Sequence, residues 1–174
     1  RGIYPSDIGC YTLGLNLGGV DTVLCMGAAV SQAAGFYQAY RLAGKTVDVV
    51  ATIGDSTFYH AGVPPLVDAV VQGARFVLVI LDNSTTAMTG YQTTPALGIG
   101  AAGEPTGIVD MEALVRGCGV GFCKVGTPSR LPEFTSLLKE AIARRLLREP
   151  AQYIFGEAEF MGLTFKVTRG VTCH

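Results

Sequence analysis

The chain has 174 residues, of which 49% are hydrophobic and only 16% charged, with a formal net charge of -1. That length suits one domain with a substantial core, and the near-neutral balance offers no basic stripe for nucleic acid. No apolar run is long enough to span a bilayer, so neither nucleic acid nor membrane is an expected partner.

Read in order, strand-like and helix-like runs alternate. Thr22–Cys25 predicts a strand, Ala28–Leu42 a helix, Val47–Ile53 a strand and Leu66–Val71 a helix. Phe76–Leu81 is the next strand; it opens into a Thr/Gly/Pro-rich stretch from Thr85 to Gly107, followed by a short helix at Met111–Arg116 and a strand at Val120–Val125. Long loops in compact domains are usually functional. Leu131–Leu147 carries Phe134, Leu137, Leu138, Ala141, Ile142 and Leu146 on one helical face, with Arg144, Arg145 and Arg148 near its C-terminal end, where they read as a solvated face. Tyr153–Phe155 is the last expected strand. The alternation argues for βαβ units and an α/β fold, a three-layer αβα arrangement with a mostly parallel sheet. We place one domain over residues 1–156 and leave 157–174 as a tail leading to a further region. No internal repeat or low-complexity segment interrupts it. The opening Arg1, almost directly before a motif, reads as a piece of a longer polypeptide.

Five cysteines, Cys10, Cys25, Cys118, Cys123 and Cys173, form an odd set without CxxC spacing. No secretory signal precedes them, so reduced thiols and a cytoplasmic setting are expected. Cys118 and Cys123 flank a short strand and read as core residues. The 23 glycines require many tight turns or a backbone that approaches a ligand closely.

Two apolar runs end in polar clusters: Gly54-Asp55-Ser56 after the first, Asp82-Asn83-Ser84-Thr85-Thr86 after the second. Both runs are rich in β-branched residues and short enough to be buried parallel strands. With a helical crossover between them, adjacent strands lie about 4.8 Å apart and both clusters emerge at one carboxyl edge. Ligands gather at such edges, and magnesium is commonly held by one or two protein oxygens plus phosphate oxygens. Asp55 and Asn83 supply a carboxylate and an amide oxygen. Each has a plainer reading: Asp55 as a helix N-cap, Asn83-Ser84 as turn chemistry. It is the pairing of the two motifs that favours a metal-diphosphate site. His60, near Asp55 in sequence, reads more simply as a hydrogen-bonding residue than as a proton-transfer group.

The order Gly-Asp-Ser, helix, strand, Asp-Asn-Ser-Thr-Thr resembles the thiamine diphosphate motif, which opens Gly-Asp-Gly and closes on Asn at the spacing seen here. More specifically, Asp7-Ile8-Gly9-Cys10-Tyr11-Thr12-Leu13-Gly14, Leu24-Cys25-Met26-Gly27-Ala28, Gly54-Asp55-Ser56-Thr57-Phe58-Tyr59-His60 and Asp82-Asn83-Ser84-Thr85-Thr86-Ala87-Met88-Thr89-Gly90 are together similar to the thiamine-diphosphate-binding domain of indolepyruvate:ferredoxin oxidoreductases, alpha subunit. The resemblance runs from about Ser6 to Phe155 and fades over Glu157–His174. Serine in place of the last motif glycine is what this subfamily uses.

The resemblance implies a thiamine diphosphate and Mg²⁺ site. Asp55, the Asn83 side chain and the Thr85 carbonyl would hold the metal. Gly54, Ser56, Thr57 and the turn containing Thr85, Thr86, Met88 and Thr89 would surround the diphosphate, with Met88 nearest the reacting carbon and the oxo-acid side chain. Gly9, Cys10, Met26 and Gly27 would approach the cofactor from two earlier strand ends. The implied activity is oxidative decarboxylation of indolepyruvate or another aryl pyruvate. Electrons would pass through iron-sulfur clusters to ferredoxin, and coenzyme A would take the acyl group. The implied partners are the 2-oxo acid, ferredoxin and a pyrimidine-binding domain or subunit, in a dimer or hetero-oligomer. The cofactor-activating glutamate would lie in that other domain, leaving no catalytic residue in this chain, which alone would be inactive. A cluster would need four thiolates, and the five cysteines do not supply four at suitable spacing; Cys10 reads as a small residue packed near the cofactor, and Cys173-His174 as the start of a ferredoxin-like region. Two alternatives stand beside this reading: a non-oxidative thiamine diphosphate-dependent decarboxylase or carboligase, and a non-catalytic α/β assembly module.

Overall fold

In a computed structural model, residues 2–127, 129–146, 151–155 and 164–171 are described. The central feature is a pair of parallel strands, β3 (Val50–Gly54) and β4 (Val77–Asp82), in register from Val50 opposite Val77 to Gly54 opposite Leu81. Every residue of β4 is buried, which is why Val77–Leu81 is continuously apolar rather than alternating. Val47 and Asp48, expected to open β3, precede the ladder, where the Asp48 carbonyl accepts from the Ile3 N–H (2.6 Å) just ahead of the short neighbouring strand β1 (Pro5–Ser6). It pairs in parallel with β3 at Ser6–Thr52 and with β2 (Thr22–Val23) on its other side.

Helix α1 (Ala28–Leu42) spans the residues predicted for it and buries Ala29, Val30, Ala33 and Ala34. Its end is set by Gly44 in the left-handed region (φ 68°), with the Lys45 N–H returning to the Tyr40 carbonyl (2.9 Å). The second helical region starts earlier than Leu66. A short α2 (Asp55–Thr57) leads through a π-helical turn (Phe58–Gly62) into α3 (Val63–Val71), which carries Pro64 and Pro65 in its first turn, where proline costs no intrahelical bond. α1 and α3 pack against each other, and α1 packs on β3. Phe58, Leu66, Phe76, Ile53, Leu78 and Ile80 form the largest fully buried side chains of the core. Burying each contributes about 1.5–3 kcal/mol.

Beyond β4 the chain forms a small hairpin, β5 (Thr85–Thr86) with β6 (Gln92–Thr93), around a 3-10 turn at Ala87–Thr89. The long loop that follows is pinned at three places: Val109 N–H to the Pro95 carbonyl (2.9 Å), Thr106 N–H to Gly98 (2.9 Å), and the Tyr59 hydroxyl to the Val109 carbonyl (2.9 Å). Asp110 then caps α4 (Met111–Gly117) by accepting from the Ala113 N–H at 2.9 Å. β7 (Phe122–Val125), α5 (Leu131–Leu146) and β8 (Ala151–Phe155) complete the expected order. Arg148 lies outside the described residues.

The sheet order is β2-β1-β3-β4-β9-β7-β8. All its pairings are parallel except those of β9 (Thr164–Val171), which runs antiparallel to β4, β7 and β8. This α/β fold with a mostly parallel sheet is the architecture expected from the alternation. β9 lies beyond the boundary drawn at residue 156, yet it pairs within the same sheet.

Candidate functional site

The parallel register of β3 and β4 delivers Asp55 and Asn83 to one edge, each just past the end of its strand. β1 ends beside them, and its continuation through Gly9 and the 3-10 turn Cys10–Leu15 forms the facing wall. Between these walls lies a cleft of about 100 Å³. Asp55, Asn83 and Thr85 line its floor with Gly54, Ser56 and Thr57; Thr86, Met88 and Thr89 close one side, Gly9, Cys10 and Met26 the other. The predicted residues thus converge, with one difference. Gly27 does not line the cleft: its N–H is engaged by both oxygens of Asp7 (2.8 and 2.7 Å). Gly27 holds a left-handed conformation (φ 87°) as the cap of α1, and a Cβ there would come within 2.6 Å of the Ala61 Cβ. A larger residue would force α1 off the π-helical turn.

The electrostatics of the floor centre on Asp55. It is 2% exposed, and its Oδ2 is buried without a hydrogen-bond partner. Burial, then the nearby charge of Asp82, pushes its carboxyl up to about 7, against the pull of backbone N–H groups. Asp82 is itself occupied, its Oδ1 accepting from the Ser84 N–H (2.9 Å) and hydroxyl (3.3 Å). That bond holds Ser84 in a left-handed conformation (φ 56°), which turns the chain from β4 toward Thr85.

Asn83 satisfies its hydrogen bonding with the amide nitrogen turned inward, where it donates to the Thr85 carbonyl oxygen (2.6 Å) and to Asp55 Oδ1 (3.1 Å). In the opposite orientation the Asn83 oxygen accepts from the Thr85 N–H (3.3 Å), and three oxygens face one another where the amide nitrogen stood. Three mutually facing oxygens with an unpartnered buried carboxylate oxygen beside them suit a hard cation, which would draw the amide oxygen inward. The donor set therefore fits magnesium. The two motif loops are also joined directly, the Thr86 hydroxyl donating to Ser56 Oγ at 2.7 Å.

Several other side chains fall away from the chemistry. His60 is exposed on the π-helical turn and does not line the cleft. Cys10 and Cys25 are free and exposed, Cys118 is half-buried and Cys123 buried. Cys173 and His174 lie outside the described residues. Among the described residues no group of three or more His, Cys, Asp or Glu side chains gathers to hold a metal, and no helix is long and apolar enough to cross a membrane. No described glutamate lines the cleft: Glu112 pairs with Arg116 (2.6 Å), and Glu104 accepts from the Ala102 N–H (3.0 Å).

Sequence reasoning missed Tyr11, Ile8, Leu81 and Ala87 as lining residues, and Asp7 as the group that fastens α1 to the end of β1. Asp7 is fully buried. An acidic residue within an apolar setting was the available signal.

Comparison with known proteins supplies the family context. The sequence profile described as "Thiamine pyrophosphate enzyme, C-terminal TPP binding domain" matches residues 7–149. The chain is 47% identical to the indolepyruvate oxidoreductase subunit IorA of Archaeoglobus fulgidus, over 97% of this chain and 28% of that protein. It is 44% identical to the subunit of the same name from Methanothermobacter marburgensis, over 80% of this chain and 22% of that protein. The chain thus spans about a quarter of the length of these curated relatives. Among solved structures, a 2-oxoglutarate:ferredoxin oxidoreductase from Magnetococcus marinus, with 2-oxoglutarate, coenzyme A and succinyl-CoA bound, superposes with a TM-score of 0.72 at 17% identity, covering 82% of this chain and 50% of that one. At that identity the likeness is one of fold.

Proposed function

The chain belongs to the thiamine pyrophosphate enzyme family, whose C-terminal TPP-binding domain it matches over most of its length, and from that premise we propose that it anchors thiamine diphosphate and Mg²⁺ in a 2-oxo acid:ferredoxin oxidoreductase. The observation that carries this reading is the floor of the cleft. Asp55, the Asn83 amide and the Thr85 carbonyl converge there, and Asp55 Oδ2 is left without a partner.

In this reading Asp55, Asn83 and Thr85 hold the metal. Ser56, Thr57, Thr86 and Thr89 offer hydroxyl and backbone groups to the diphosphate, with the Thr86–Ser56 bond fixing the spacing of the two loops. Met88, 57% exposed at the rim, faces the substrate side. Met26 and Cys10 shield the opposite wall. When bound, thiamine diphosphate supplies the electron sink that allows loss of CO₂ from a 2-oxo acid. This chain's part is to bind, orient and exclude water. The motif resemblance implies that the group activating the cofactor belongs to another domain or subunit, which would leave this domain inactive alone.

The relatives' names favour indolepyruvate as substrate; coenzyme A as acyl acceptor and electron flow through iron-sulfur clusters to ferredoxin are what the motif resemblance adds to this proposal. The assembled enzyme, supplied with thiamine diphosphate, Mg²⁺, coenzyme A and indolepyruvate, should reduce ferredoxin or a viologen dye. Turnover of the oxo acid that needs neither acceptor would overturn the oxidoreductase reading in favour of non-oxidative chemistry.

A further inference from the structure

We infer that Tyr11 is a positioning residue of the metal-diphosphate site: its hydroxyl stands in for a missing strand beside Gly54 and so holds Asp55 in place while the cleft stays open. The inference rests on the cofactor reading above and assigns the wall opposite the metal ligands a specific task.

The Asp7 N–H donates to the Thr52 carbonyl at 2.9 Å, the last bond of the β1–β3 ladder. In a continued parallel ladder the next bond would run from the Gly54 N–H to the Asp7 carbonyl. That bond is not made, because the chain turns away after Asp7 to form the cleft wall, and the Asp7 carbonyl accepts from the Thr12 hydroxyl instead (3.2 Å). The Gly54 N–H would be left without a partner at the rim of a partly buried site, at a cost of roughly 1–3 kcal/mol, or about 5- to 160-fold in an equilibrium. It donates to the Tyr11 hydroxyl at 2.8 Å. The hydroxyl in turn donates to the Ile8 carbonyl (3.4 Å), so one phenol bridges the diverging strand ends.

The surrounding glycines fit this task. An ideal Cβ on Gly9 would run into the Tyr11 ring, and one on Gly54 would lie 3.4 Å from its hydroxyl. The ring is clasped between the two backbones, and the absent side chains make room for it. Burial, reinforced by the nearby charges of Asp7 and Asp55, raises the phenol well above its ordinary range, so it stays a neutral acceptor and donor. Gly54 is also the residue directly before Asp55. Any loosening of its N–H therefore moves the carboxylate relative to Asn83 and Thr85.

The test compares wild type with Tyr11→Phe in the full protein, titrating thiamine diphosphate at several Mg²⁺ concentrations and measuring amide exchange at Gly54. Tyr11→Phe is expected to weaken Mg²⁺-dependent binding by roughly 5- to 160-fold, to raise the Mg²⁺ concentration needed for half-saturation, and to speed Gly54 exchange. If the variant melts at a lower temperature but binds Mg²⁺ and cofactor like wild type, the role is merely structural and the inference fails. If wild type does not bind thiamine diphosphate, the cofactor reading fails and takes this role with it. Should the variant not fold, wild-type exchange decides: slow exchange of Gly54 without ligand supports the hydroxyl lock, and fast exchange overturns it.

Discussion

The Thr86 hydroxyl donates to Ser56 Oγ across 2.7 Å, so the loop after β4 is fastened directly to the first turn after β3. Asn83 and Asp55 join the same two loops at the floor. This bond explains why serine serves at a position where the general motif has glycine: the side chain supplies the acceptor that spaces the two loops.

Replacing Thr86 by Val keeps the β-branched shape and removes the donor. Binding of thiamine diphosphate should weaken about 2- to 12-fold, the equivalent of a typical net hydrogen bond of about 0.5–1.5 kcal/mol. Titration calorimetry on the assembled protein checks this, and unchanged affinity would show that the loop spacing is set elsewhere.

Asp55 makes metal binding proton-linked. Its folded-state carboxyl titrates at about 7, above the ordinary value of 3.8, first because it is buried and then because Asp82 lies near. For an acid with a raised pKa, folding of the metal-free protein is most favourable below the unfolded value. Its stability then falls as pH rises from about 3.8 to about 7 and levels off above that. Mg²⁺ reverses the trend, since it needs the ionised form. Mg²⁺ uptake should release a proton below pH 7 and none well above it, which calorimetry in buffers of different ionisation enthalpy will show. Asp82→Asn should move the midpoint down part of the way, leaving the larger contribution of burial in place.

Asp55→Asn separates metal binding from folding. The carboxylate is buried with one oxygen unpartnered, so the substitution should leave the ligand-free protein as stable or more stable. It should also abolish Mg²⁺-dependent cofactor binding. Thermal melts with and without Mg²⁺ and thiamine diphosphate check both halves. A destabilised ligand-free variant would mean that Asp55 supports the fold instead.

Ile53→Ala tests how the strand tips depend on the core. Ile53 is fully buried one residue before Gly54, near the π-helical turn that carries Phe58 and Gly62. Truncation should cost about 2–5 kcal/mol in a denaturant melt. If the cost is below about 1 kcal/mol, the end of β3 is packed more loosely than its burial indicates.

Much of this site was legible in the sequence, because the physics that writes a parallel strand into a chain also marks its end. Val77–Leu81 must be apolar to be buried on both faces, as Ala51 and Ile53 must on the buried face of β3, and the polar clusters after the two strands emerge at one edge. Asp55 and Asn83 were therefore found together. Tyr11 was harder to find, because its role rests on a bond to Gly54 across 43 positions. β1 left no apolar run, since Pro5–Ser6 is buried by its neighbours rather than by its own hydrophobicity. β9 carries an alternating Phe165 and Val167, a pattern compatible with many pairings. Only the finished sheet shows it between β4 and β7.

The most direct test is a crystal structure of the full protein with thiamine diphosphate and Mg²⁺. The account predicts Mg²⁺ at about 2.0–2.1 Å from an Asp55 carboxylate oxygen, Asn83 Oδ1 and the Thr85 carbonyl, with the diphosphate completing the shell. The Asn83 amide oxygen should point inward to the metal, beside the Thr85 carbonyl and Asp55 Oδ1. A diphosphate bound elsewhere, or a metal in this cleft with the Asn83 oxygen turned away, would contradict it.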